Sequence, residues 1–177
     1  TLDGVTGSTG FTVTEAVLVS IQITPSHPSA PKGTTLHLTA TGVYSDHTTQ
    51  DLTKQAAWNS SEPSAASVSN AAGSNGLAAA LAVGAADVSA SFDGVTGSTD
   101  LTVTEAVLDS IQITPANPSL AKGTTLQLTA TGTYTDDTTK DLTKDVTWGA
   151  TDPSVASVSN AEGSDGLATA LAVGPTT

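Results

Sequence analysis

Residues 21–44 read IQITPSHPSAPKGTTLHLTATGVY, and residues 111–134 read IQITPANPSLAKGTTLQLTATGTY. In both, Ile-Gln-Ile-Thr alternates apolar with polar side chains and stops at a proline. That is the pattern of a strand with one buried face, ended where proline removes the ladder's N–H donor. After the Lys32-Gly33 turn, Leu36, Leu38 and Ala40 form a second alternating set. The two stretches stand 90 residues apart, and the same interval separates DGVTGST at Asp3 from its copy at Asp93. Laying residues 1–87 over 91–177 without a gap makes 59 of 87 pairs identical. A period of 90 exceeds the roughly 20–50 residues of a solenoid unit and suits one small domain per repeat.

Outward from this stretch the punctuation stays that of an all-β domain, with short apolar or β-branched runs between Gly, Pro, Asn and Asp clusters. Tyr44 ends a third strand, and Trp58 sits in a fourth, after the polar loop Ser45–Lys54. Ala66 and Val68 are expected to face inward, and Leu77, Ala79, Leu81 and Val83 to return after the Gly73–Gly76 loop. Asn75-Gly76 and Asp165-Gly166 tolerate the positive φ of tight hairpins. Val88, Ala90 and Phe92, then Leu101 and Val103, form the last pair across the loop Asp93–Ser98. About seven short strands at this spacing, with one large core aromatic per copy, predict tandem immunoglobulin-like antiparallel β-sandwiches. Trp58, Trp148, Tyr44 and Tyr134 recur at core-like positions.

Composition narrows the function. Five basic residues against 17 acids leave a net charge of −12, which argues against nucleic acid, whose affinity is driven by protein cations. Mean hydropathy is +0.03, and the most apolar stretch, Gly76–Ala86, is too short to span a bilayer. No membrane insertion is expected within this segment. The chain has no cysteine, hence no disulfide framework and no thiolate chemistry.

Taken together, IQITP with KGTTL and LTATG, then YSDHTTQDLT, AAWNSSEPSAASVSN and GLAAALAVG, resemble tandem bacterial immunoglobulin-like domains of group 2, the repeats of intimin- and invasin-type surface proteins. The resemblance covers nearly the whole chain. It implies an extracellular or cell-surface β-sandwich that serves as a spacer or adhesive module, a type also found in phage virion proteins, and it implies no catalytic residues. Where the family pattern often has Asp-Gly in the middle loop, this chain has Asp46-His47 and Asp136-Asp137.

Catalytic chemistry finds little support. The histidines, His27, His37 and His47, are replaced by Asn117, Gln127 and Asp137 in the second copy and show no metal-ligand spacing. Serines and threonines abound without a GxSxG elbow or a placed base. No cofactor is expected, with one exception: Asp136, Asp137, Asp141 and Asp145 cluster within one loop and the strand after it. Carboxylates so spaced are candidate ligands for Ca²⁺, but the pattern is no EF-hand, and the plainer reading is a solvated acidic face. The charge is uneven, with two Lys against six acids in residues 1–90 and three against eleven in 91–177, so cation dependence is expected in the second copy.

The expected domains are residues 1–18 as the final strand of a preceding repeat, 19–108 as the first repeat, and 109–177 as the second without its last two strands. Phe11 and Val13 match Leu101 and Val103 and are expected to act as strand donors. The expected partners are therefore copies of the chain joined head to tail, or adjacent repeats of the same chain. Val107 and Leu108, in a junction free of Gly and Pro, are expected to bury between neighbouring domains. The leading functional expectation is a structural or adhesive module in an extended rod or filament. The alternatives are a module that binds carbohydrate, a host protein or another surface ligand, and a phage virion decoration domain.

Overall fold

In the computed structural model, which describes residues 3, 6 and 8–177, every regular element is a β-strand. The first repeat holds β1 (Leu18–Thr24), β2 (Ser29–Pro31), β3 (Thr35–His37), β4 (Thr39–Tyr44), β5 (Thr49–Asp51), β6 (Ala57–Ser60), β7 (Ala66–Val68), β8 (Leu77–Ala80), β9 (Gly84–Phe92) and β10 (Val95–Thr104). The second holds β11 (Leu108–Thr114), β12 (Thr125–Gln127), β13 (Thr129–Tyr134), β14 (Thr139–Asp141), β15 (Ala156–Val158) and β16 (Leu167–Ala170). Neighbours in the first repeat run β1-β4-β5, β2-β10-β9-β6 and β3-β8-β7; in the second they run β11-β13-β14 and β12-β16-β15. The architecture is all-β, with antiparallel pairing throughout the described ladders except that β2 runs parallel to β10, Thr102 N–H donating to Pro28 O and Lys32 N–H to Thr104 O, an arrangement that immunoglobulin-like sandwiches accommodate.

The long alternating run Leu36–Ala40 is two strands, because the chain changes sheets at Leu38. His37 pairs with Leu77 of β8, whereas Thr39 pairs with Thr24 of β1. Between them the Leu38 N–H donates to the Gly76 carbonyl at 2.8 Å, and the side chain is fully buried. Gln127, Leu128 and Thr129 repeat the crossing, with Leu128 N–H donating to Gly166 O at 2.9 Å. A side chain at such a crossing lies between the sheets, where apolar area leaves water most completely.

Ile21 and Ile23 point inward as their alternation requires, joined by Ala40, Leu52, Trp58, Ala66, Val88, Ala90, Leu101 and Val103. β8 departs from expectation. Ala78 and Ala80 are its buried residues, while Leu81 and Val83 lie past its end and are exposed. Tyr44 and Tyr134 are also not core residues. Each is half-buried at the end of its strand, and the Tyr44 hydroxyl donates to Gln50 Oε1 at 3.0 Å. Leu108, 44% exposed, is turned against Gly132 of its own repeat, as Leu18 is against Gly42, and Val107 is 49% exposed.

Residues 109–177 contain no counterpart of β9 or β10. In the first repeat β6 is held by β9, Trp58 facing Ala90; around Trp148, where that neighbour is lacking, no strand is assigned. Residues 8–14 match Ser98–Thr104 of β10 in position but form no strand, having no adjacent strand to complete a ladder. The remainder of the expected donor strand includes residues 1, 2, 4, 5 and 7, which lie outside the described residues.

Candidate functional site

Each repeat builds the same polar scaffold around its tryptophan. The Trp58 indole Nε1–H donates to the Thr53 carbonyl at 2.9 Å, and Thr53 Oγ1 accepts the Ala40 N–H at 3.0 Å. Asp51 Oδ1 in turn accepts the Thr53 N–H at 2.8 Å. Asn70 then brackets the Trp58 backbone, its Oδ1 accepting the N–H at 2.7 Å and its Nδ2 donating to the carbonyl at 2.8 Å. Trp148, Thr143, Ala130, Asp141 and Asn160 reproduce this network at 2.6–3.0 Å. The indoles are buried at 4% and 7% exposure, so both aromatic faces serve the core. The two asparagines escaped the sequence reading, since a side chain that substitutes for a neighbouring strand leaves no periodic signal.

The four aspartates expected to hold Ca²⁺ are placed differently from one another. Asp136 Oδ1 accepts from the Thr138 N–H at 3.2 Å and from its hydroxyl at 2.6 Å. Asp137 occupies the left-handed turn position at φ 61°. Asp141 caps Thr143, and Asp145 pairs with the Lys140 ammonium at 3.0 Å. Asp141 and Asp145, with Asp165, Lys144 and Gln127, border an open depression of about 560 Å³; Asp136 and Asp137 do not line it. Among the described residues no three His, Asp or Glu side chains converge as a metal-binding group.

Hydroxyl-bearing neighbours set the electrostatics of these loops. Side-chain hydrogen bonds from Thr48, Thr53, Thr138, Thr143 and Ser154 hold Asp46, Asp51, Asp136, Asp141 and Asp152, respectively, below the ordinary carboxylate value. Bonding to the charged form favours it. Asp87 is the opposite case, pushed up by Asp100 through a shared hydrogen bond and like-charge repulsion.

The histidines stand on separate elements. His27 Nδ1 lies 3.1 Å from Asp100 Oδ2, His37 points outward from β3, and His47 sits at φ 66° in the β4–β5 turn. That turn is closed by the His47 N–H donating to Tyr44 O and the Tyr44 N–H donating to Thr48 O, each at 2.9 Å. It is a type I turn whose next residue is left-handed, the usual three-residue hairpin loop. Asp137 closes its turn the same way, which explains why a glycine serves at this position in related loops.

Residues 17–103 and 107–177 each match the bacterial Ig-like domain (group 2) family. The chain is 42% identical over 160 residues to ice-binding protein 1 of Shewanella frigidimarina, a match that covers 90% of this chain and 18% of that protein. Domains 1–6 of the surface layer protein SbsC align over 99% of this chain and 28% of theirs, at 18% identity and a TM-score of 0.45. SbsC domains 5–6 align over 88% of this chain and 85% of theirs, at 19% identity and a TM-score of 0.45.

Proposed function

Because the chain belongs to the bacterial Ig-like domain (group 2) family, we propose that it is a non-catalytic structural repeat module, two units of an array that spaces or presents other parts of a longer polypeptide. It belongs to the cell surface or the extracellular space. The observation that supports this reading is the inward use of its polar chemistry. The indoles and asparagines of each repeat, with Asp51 and Asp141, bond to their own repeat, and the tryptophan faces that a sugar would stack on are buried. Extended stacking of successive repeats into a rod, with copies or neighbouring repeats as partners, is the arrangement proposed.

Small-angle scattering on dilute chains of two, four and six repeats tests the spacer reading. Maximum dimension should grow linearly with repeat number, and a compact globule at six repeats would overturn it. A glycan array and a thermal-hysteresis assay on the same chains test direct recognition. Saturable binding of a glycan, or ice activity in this region alone, would replace the spacer by a binding module.

A further inference from the structure

The chain has asparagines at 59, 70, 75, 117 and 160, and only Asn75 is followed by glycine. Asparagine is among the chemically labile side chains, and an Asn-Gly pair carries its own nucleophile. The glycine nitrogen can reach the asparagine Cγ, and with no Cβ on glycine nothing screens the approach. In the first repeat the fold holds both reactants. Gly76 is buried at φ 77°, and a Cβ placed on it would stand 2.4 Å from Leu38 O and 3.1 Å from Trp58 Cζ2. Its N–H donates to Ser69 O at 3.0 Å, and its carbonyl accepts the Leu38 N–H at 2.8 Å. Asn75 is half-buried, with Nδ2 donating to Asn70 O at 3.2 Å.

The second repeat shows that the same loop accepts an acid in place of the amide. Asp165 precedes Gly166, which stands at φ 78° and donates its N–H to Ser159 O at 2.9 Å. The Ser69–Ser74 hydroxyl pair recurs as Ser159–Ser164, each at 2.8 Å. The Leu77 N–H bond to Ser74 O recurs as Leu167 to Ser164, each at 3.0 Å. A carboxylate at residue 75 therefore removes the bond to Asn70 O and leaves the rest of the loop as it is.

We propose that Asn75 is a site of spontaneous deamidation, with water as the co-reactant, and that the reaction waits on opening of the loop of residues 69–76. Once Ser69 O releases the Gly76 N–H, solvent hydroxide removes the proton and the nitrogen bonds to Asn75 Cγ. The Cγ–Nδ2 bond then breaks, and the leaving nitrogen takes a proton from water to depart as ammonia. Water opens the succinimide that results. Addition at Cγ gives aspartate in an ordinary backbone, the state that Asp165 already represents. Addition at the other carbonyl carbon gives isoaspartate, whose main chain is longer by a methylene. That product cannot keep Gly76 bonded to both Ser69 and Leu38, because the glycine has no room to shift against Leu38 O and the Trp58 ring. Each event adds a negative charge, so the charge at residue 75 records how often the loop has opened. The site stands whether or not the repeats serve as spacers.

The full chain is incubated at mildly alkaline pH, native in buffer and unfolded in guanidinium chloride, and residue 75 is followed by peptide mass spectrometry with isoaspartyl methyltransferase labelling. Deamidation should run about tenfold faster or more in the unfolded chain, since the native loop opens only in a minor population. Equal rates would overturn the gating, and an amide that outlasts unfolding would overturn the site. Asn75→Gln, whose attack would need a larger ring, should leave the peptide's mass unchanged over the same time; undiminished ammonia loss would put the reaction elsewhere. Asn75→Asp should denature close to the parent chain, and the isoaspartyl form, separated by ion exchange, at a lower urea midpoint. An isoaspartyl form as resistant as Asn75→Asp would overturn the distinction between the two products.

Discussion

Ile21 and Ile111 occupy the same place in the first strand of their repeats, yet Ile21 is 6% exposed and Ile111 is 48% exposed. The residues are identical and so is the pairing, Ile21 facing Gly42 and Ile111 facing Gly132. Gly97 of β10 lies against the backbone of Ile21. Burying an isoleucine fully stabilises by about 1.5–3 kcal/mol. Ile21→Ala should therefore lower the urea denaturation midpoint clearly more than Ile111→Ala does, and equal losses would contradict this.

Asn70 and Asn160 are expected to matter more than any loop aspartate. Truncating Asn70 to alanine leaves both the N–H and the carbonyl of Trp58 without their partners, a loss of about 2 kcal/mol or more. Asn70→Asp keeps the acceptor and loses the donor, and should fall between wild type and alanine in urea denaturation.

Acid should destabilise the chain in a defined window. Asp46, Asp51, Asp136, Asp141 and Asp152 have lowered folded-state values, that of Asp136 about 2, against 3.8 without these bonds. A lowered carboxyl contributes stability above its unfolded value and loses it as pH falls through the folded one. The melting temperature should therefore drop between about pH 4 and pH 2. Asp87 has the opposite sign, being raised by Asp100, so its ionisation at neutral pH works against folding. Asp87→Asn should raise the melting temperature of the first repeat at pH 7, less so in high salt, and leave it unchanged near pH 2.

His47 is held at φ 66°, a conformation that disfavours side chains other than those of Asn and Asp. His47→Gly should stabilise the first repeat by up to about 1 kcal/mol, read as a shift of the denaturation midpoint at unchanged slope. Asp137→Gly, at φ 61°, should gain less, because the short polar side chain of aspartate can hydrogen-bond locally in the left-handed region.

The Ile-Gln-Ile-Thr strand was legible because its alternation is the physical period of a pleated strand, and the duplication because identity needs no structural model. The sheet change at Leu38 was not. Alternation continues unbroken through Leu36, Leu38 and Ala40, and only the partners, Leu77 on one side and Thr24 on the other, reveal two strands. The inward face of β8 was misread because alanines at 78 and 80 carry less apolar weight than Leu81 and Val83, although small residues are what a crowded interior accepts. Of the expected calcium ligands, spacing in sequence brought Asp141 and Asp145 to one depression but could not show that Asp136, Asp141 and Asp145 already have partners.

The matching registers of β1 with β4 and β11 with β13 have a consequence for biosynthesis. Ile21 meets Gly42 across 21 positions, but Gly132 offers it the same edge across 111. By side-chain fit alone the nascent chain cannot tell them apart. Loop closure favours the near partner by about 1.5 kcal/mol, and emergence from the ribosome adds a larger bias, because β4 is available before β13 has been synthesised. Refolding from denaturant removes that order in time, so strand exchange between repeats should appear in refolded chains and be rare in freshly translated ones.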